Sequence, residues 1–84
     1  MSQSFYNNYT KSQLLKILEK LKDTTAKKSW SKGKIVTQVD THSIEEVLGV
    51  FTSAELSEGL EILEAKTSGN KKSKYERLVG LVGG

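Results

Sequence analysis

Leucine and isoleucine recur at helical spacing in two stretches of the chain. Leu14, Ile17, Leu18 and Leu21 fall at i, i+3, i+4 and i+7, and Leu56, Leu60 and Leu63 follow nearly the same rule. Each set forms the single apolar stripe of a surface helix. The predicted helices lie over 10–23 and 52–66, about 13 to 15 residues each, an ordinary globular length. Their starts are marked by polar residues. Thr10 is followed three positions on by Gln13, Ser43 by Glu46, and Thr52 by Glu55. Each pair has capping-box spacing: the hydroxyl accepts from one orphan amide, and the longer side chain reaches back to another. Tyr9 with Leu14, and Phe51 with Leu56, have the spacing of a hydrophobic staple. The Ser43 box opens a short helix in "SIEEVLGVF", and Tyr75, Leu78, Val79 and Val82 predict a last helix over 73–82.

The segment "KIVTQV" reads two ways. Its β-branched residues suit a strand with Ile35, Thr37 and Val39 on one face. The absence of an evident partner strand, and Ser31 as a cap, favour a short helix near 31–39. Internal repetition favours it too. Sliding residues 10–39 onto 52–81 places Thr10 on Thr52, Leu14 on Leu56, Leu18 on Leu60, Leu21 on Leu63 and Lys32 on Lys74. With one residue inserted, Ile35, Val36 and Val39 fall on Leu78, Val79 and Val82. The expectation is an all-α domain of two helix–extended–helix repeats sharing one core. Residues 1–8 would be a flexible N-terminus, 9–40 the first repeat, 41–51 a connecting short helix and 52–84 the second repeat. Gly59 interrupts the second amphipathic helix, either as a tolerated surface glycine or to let another helix approach closely.

Composition limits what this core can be. A chain of 84 residues, 36% apolar and without cysteine, has a thin core and no disulfide or thiolate metal site. A single histidine, His42, offers no second metal ligand at helical spacing, and no phosphate-binding glycine motif occurs. No metal or other cofactor is therefore expected, and an enzyme falls behind a binding protein. The start has no signal-peptide pattern and no run is long enough to span a membrane, which points to a cytoplasmic protein, at the nucleoid or another nucleic-acid-containing compartment.

Charge is arranged in blocks. Residues 1–40 carry eight lysines against Glu19, Asp23 and Asp40, a net +5. Residues 41–66 carry six glutamates against Lys66, a net −5, and residues 67–84 return to +3 through Lys71, Lys72, Lys74 and Arg77 against Glu76. Whether the two basic blocks meet depends on the fold.

The second repeat resembles a known family. In "TSAELSEGLEILEAKTSGNKKSKYERLV", Thr-x-x-Glu-Leu opens the first helix, Leu56 and Leu60 lie four apart, Thr-Ser-Gly forms the loop, and Glu-Arg-Leu lies in the second helix. This stretch, about a third of the chain, is similar to a SAP domain, a helix–extended–helix module that binds DNA. It departs from that pattern at Lys74, where the family has an apolar residue, with Tyr75 next to it. The N-terminal module of Rho termination factor has a similar design. The resemblance implies a DNA partner, with RNA as the alternative.

The two basic turns supply the candidate contacts. In the first, these are Lys27, Lys28, Trp30, Lys32 and Lys34; in the second, Gly69, Asn70, Lys71, Lys72, Lys74 and Arg77. Lysines at a turn that opens a helix add side-chain cations to exposed amides, and both favour phosphate. Gly69 permits the sharp turn. Arg77 suits bidentate recognition or a salt bridge to a helix glutamate, and Trp30 suits base stacking or a place in the core. Of a different class is a protein-interaction module or regulatory subunit that uses the acidic helix through Glu55, Glu58, Glu61, Ile62 and Glu64.

Overall fold

The computed structural model describes residues 2–83, which form six α-helices and, among the described residues, no strand. They are α1 (Ser2–Tyr6), α2 (Lys11–Lys20), α3 (Lys32–Asp40), α4 (Ile44–Gly49), α5 (Ser53–Ile62) and α6 (Lys71–Gly83). The fold is all-α, and residues 32–40 are helix, so the strand alternative for "KIVTQV" falls.

All three capping boxes form. The Thr10, Ser43 and Thr52 hydroxyls accept from the amides of Gln13, Glu46 and Glu55, whose side chains bond back to the cap amides. Ser31 caps α3. Thr10→Ala and Thr52→Ala should each destabilise the protein by about 1 kcal/mol. Unchanged urea midpoints for both variants would show that these caps carry no weight.

Both long helices stop sooner than the leucine stripe suggests. Lys22 and Glu64 take positive φ, 60° and 56°, just beyond the last helical turns of α2 and α5. Around them the amides of Asp23 and Lys22 bond to the carbonyls of Leu18 and Glu19, and those of Ala65 and Glu64 bond to the carbonyls of Leu60 and Glu61. These are two Schellman motifs built without the usual glycine. A side chain in the left-handed region is strained. Lys22→Gly and Glu64→Gly should therefore each stabilise by about 0.5–1 kcal/mol, read as a rise of several degrees in the thermal midpoint.

The repeat is larger than the expected one. A shift by half the 84-residue length carries α1 onto α4 as well as α2 onto α5. Phe5, Tyr6, Tyr9, Leu14, Ile17 and Leu18 fall on Val47, Leu48, Phe51, Leu56, Gly59 and Leu60, and every one of these is buried. Lys22 falls on Glu64, so the two Schellman turns match as well. The packing repeats in the same way: α2 lies on α3 and α1 on α3, as α5 lies on α6 and α4 on α6. Residues 1–8 are thus not a flexible tail over the described positions, and 41–51 is more than a connector. Each repeat is a three-helix unit. The physical reason lies in the aromatics: Phe5, Tyr6 and Tyr9 bring enough apolar area to hold a five-residue helix that could not stand alone. Asn8 closes that helix, its side-chain amide donating to the carbonyls of Ser4 and Phe5.

The two repeats meet through equivalent residues. Tyr9 and Phe51 pack edge to face, with centroids 6.1 Å apart. A shallow depression between α2 and α5 is lined by the matched pairs Tyr9/Phe51, Gln13/Glu55 and Lys16/Glu58, together with Ile17. Equivalent residues facing one another are the mark of an approximate two-fold relation. The symmetry is broken where Ile17 has Gly59 as its counterpart. A Cβ on Gly59 would stand 2.8 Å from Leu78 Cδ2 and 3.2 Å from both Phe5 Cζ and Tyr9 Oη. Gly59 is therefore a close-approach glycine in the buried core. One continuous apolar cluster draws on all six helices. Within it the Tyr6 and Tyr9 hydroxyls have no hydrogen-bond partner, and burial pushes both phenols well above their ordinary range.

Candidate nucleic-acid interface

The eleven residues expected at the site divide by what they touch. Lys27, Lys28, Lys71 and Lys72 are exposed, and their side chains make no hydrogen bond or ion pair among the described residues. The other cations are engaged. Lys32 Nζ donates to the Asn7 carbonyl at 2.7 Å and fastens α3 to the turn after α1. Lys34 Nζ sits 4.1 Å over the Trp30 ring, a cation–π contact. Lys74 Nζ reaches Ser53 Oγ at 3.4 Å. Trp30 is half-buried against the core, so it is neither a fully enclosed anchor nor a free stacking platform.

Arg77 has backbone acceptors in the loop that precedes its helix. Its Nη1 donates to the carbonyls of Lys66 and Ser68, at 2.7 and 2.9 Å. Through Nη1 it clamps the α5–α6 loop. Gly69 has φ +114°, and a Cβ there would crowd Ser73, so the turn requires glycine. Asn70 caps α6 by accepting from the Ser73 amide at 2.9 Å. The clamp, the glycine and the cap together present the first turn of α6, where Lys71 and Lys72 bring two ammonium groups beside amides that have no intrahelical acceptor.

The first basic loop is held from one end. Asp23 accepts from Gln38 Nε2 at 2.8 Å and from the Thr25 amide at 3.0 Å, and it lies 2.7 Å from His42 Nε2. These bonds, His42 first, hold the Asp23 carboxyl far below the ordinary carboxylate range. The cluster ties the end of α2 to α3 and to the α3–α4 turn, which gives the lone histidine a structural place. A depressed folded-state pKa means stability that is present in full above the unfolded value near 4 and is lost as the pH falls through the folded value. Asp23→Asn should cost about 1–2 kcal/mol at pH 7 and flatten the loss of stability between pH 5 and 2. Urea midpoints across that range check it, and an acid limb unchanged by the substitution would assign the pH dependence elsewhere. Glu55 contributes in the same direction: partial burial raises its carboxyl, but the Thr52 amide and Lys20 outweigh burial and lower it.

One cation at the first loop was missed. Lys28 shares a shallow surface depression with Lys11, Ser12 and Leu15, so Lys11 belongs beside it. Local sequence carried no sign of this, because the loop folds back along α2. Of the acidic residues, Glu58 and Glu61 are exposed on α5 and Glu64 just beyond it, whereas Glu55 is paired with Lys20 at 3.0 Å and Ile62 packs against the core. No helix among the described residues is long and apolar enough to cross a membrane. Comparisons with protein-family models, with curated proteins and with solved structures find no match for this chain.

Proposed function

We propose that this is a small non-catalytic nucleic-acid-binding protein that holds the phosphate backbone of DNA. One observation carries the reading: the fold presents two exposed lysine pairs whose side chains have no internal partner, Lys27/Lys28 in the loop before α3 and Lys71/Lys72 in the first turn of α6. In a chain of this size, exposed cations with no internal partner are available to an external anion. Contacts of this kind position a backbone and carry no sequence information. The helix–loop–helix order of α5 and α6 supports the SAP-like resemblance, and Tyr75, next to the Lys74 position where that pattern has an apolar residue, packs half-buried against the core.

A fluorescent duplex, its single strands and an RNA of the same sequence, each titrated at 50 and 200 mM salt, test the reading. Salt-sensitive binding to the duplex supports it. Folded protein that binds none of them at low salt overturns it. A second reading, a protein-interaction module, draws support from a different place than the acidic helix. Leu63 and Leu81 are 37% and 46% exposed, and they border a depression with Phe5 and Val82.

A further inference from the structure

The geometry points to a bivalent protein: we infer that it holds two separate segments of duplex DNA at once, one on each flank. This rests on the nucleic-acid reading above and adds to it how the two lysine clusters are used.

The helices α2 and α5 lie side by side at the pseudo-two-fold. Gln13 and Lys16 of α2 line one depression with Glu55 and Glu58, and Lys20 bonds to Glu55. Lys28 stands with Lys11 and Leu15, which at 100° per residue lie roughly 170° around α2 from Gln13 and Lys20. On α5, Lys74 reaches Ser53, the counterpart of Lys11, and Ser53 stands about 160° around its helix from Glu55. Lys28 of the first basic cluster and Lys74 of the second therefore sit on the sides of α2 and α5 that face away from the other repeat.

Two helices stand between the clusters. Each is about 10–12 Å across with its side chains, so the separation is roughly 20 Å or more. The molecule is 37 Å long, enough for this spacing. The α5 surface between the flanks carries exposed Glu58 and Glu61. A single duplex laid across both clusters would press its phosphates against those carboxylates. Two duplexes, one per flank, avoid them.

A bridging assay tests this. A biotinylated duplex of about 30 base pairs is fixed to beads, and a second, fluorescent duplex is added with the protein. The wild type should retain the fluorescent duplex, with retention rising and then falling as protein comes into excess and occupies each duplex separately. The double substitutions Lys27→Ala with Lys28→Ala, and Lys71→Ala with Lys72→Ala, should each still bind the fixed duplex through the remaining cluster, but should lose at least tenfold in retention of the second. Wild-type protein that binds the fixed duplex and retains no second one overturns bridging and leaves DNA binding standing. Retention that persists in either double variant assigns bridging to another surface or to self-association, and overturns the inference. No binding to the fixed duplex removes the nucleic-acid reading and this one with it.

Discussion

Gly59→Val should destabilise the protein by about 3 kcal/mol, at the upper end for overpacking a core. The added Cβ alone meets Leu78 at 2.8 Å and two aromatic side chains at 3.2 Å, and Phe5, Tyr9 and Leu78 are nearly or wholly enclosed. All three are packed into the core, so relieving the clash tends to part α5 from α1 and α6. Gly59→Ala should do less harm, because the helix-propensity gain of about 1 kcal/mol offsets part of the clash. The counterpart position sharpens the argument. Phe5 stands over Gly59, whose counterpart in the first repeat is the larger Ile17, while the counterpart of Phe5 is the smaller Val47. For a domain of this size 3 kcal/mol is a large share of a total of roughly 4–12 kcal/mol. A urea midpoint for Gly59→Val close to that of the wild type would mean that the repeats are not packed so closely.

This glycine shows where sequence reading stops. Helix starts are legible because a capping box is a local device, with its partners three residues apart, as at Thr10, Ser43 and Thr52. Helix ends are less so, because the stops at Lys22 and Glu64 use left-handed residues that carry no compositional mark. The α1 helix was hidden because five residues have no periodicity of their own and are held by packing on α3 and α6. At the site, the glycine turn at Gly69 was legible from the chain. The Arg77 clamp was not, because its acceptors, Lys66 and Ser68, are chosen by how the loop folds back over α6. Nor was the link from Asp23 to His42, which spans 19 residues and depends on where α3 lies. In each case the missed feature is a contact between elements, set by packing and absent from any short window.

The lysine pairs give the second large effect, on binding. Each phosphate neutralised on duplex DNA adds about −0.9 to the slope of log affinity against log salt, because condensed counterions are released. A duplex held by one cluster neutralises about two or three phosphates, through Lys27, Lys28 and Lys11 on one flank or Lys71, Lys72 and Lys74 on the other. The expected slope is then about −1.8 to −2.7 for each bound duplex, a loss of about 10- to 40-fold in affinity between 50 and 200 mM salt. Replacing Lys71 and Lys72 by Ala should leave one binding site per protein with the slope of the first cluster, and replacing Lys27 and Lys28 should leave the slope of the second. All four substitutions together should abolish salt-dependent binding. Each of the four side chains is exposed and unpartnered, so the urea midpoint should hold throughout. A wild-type slope near −4 to −5 that either double substitution cuts by about two would mean that one duplex spans both flanks, against the bridging inference but in favour of DNA binding. A quadruple variant that stays folded and keeps both affinity and slope would remove the lysines from the interface altogether, and the exposed apolar surface at Leu63 and Leu81 would then become the place to seek a partner.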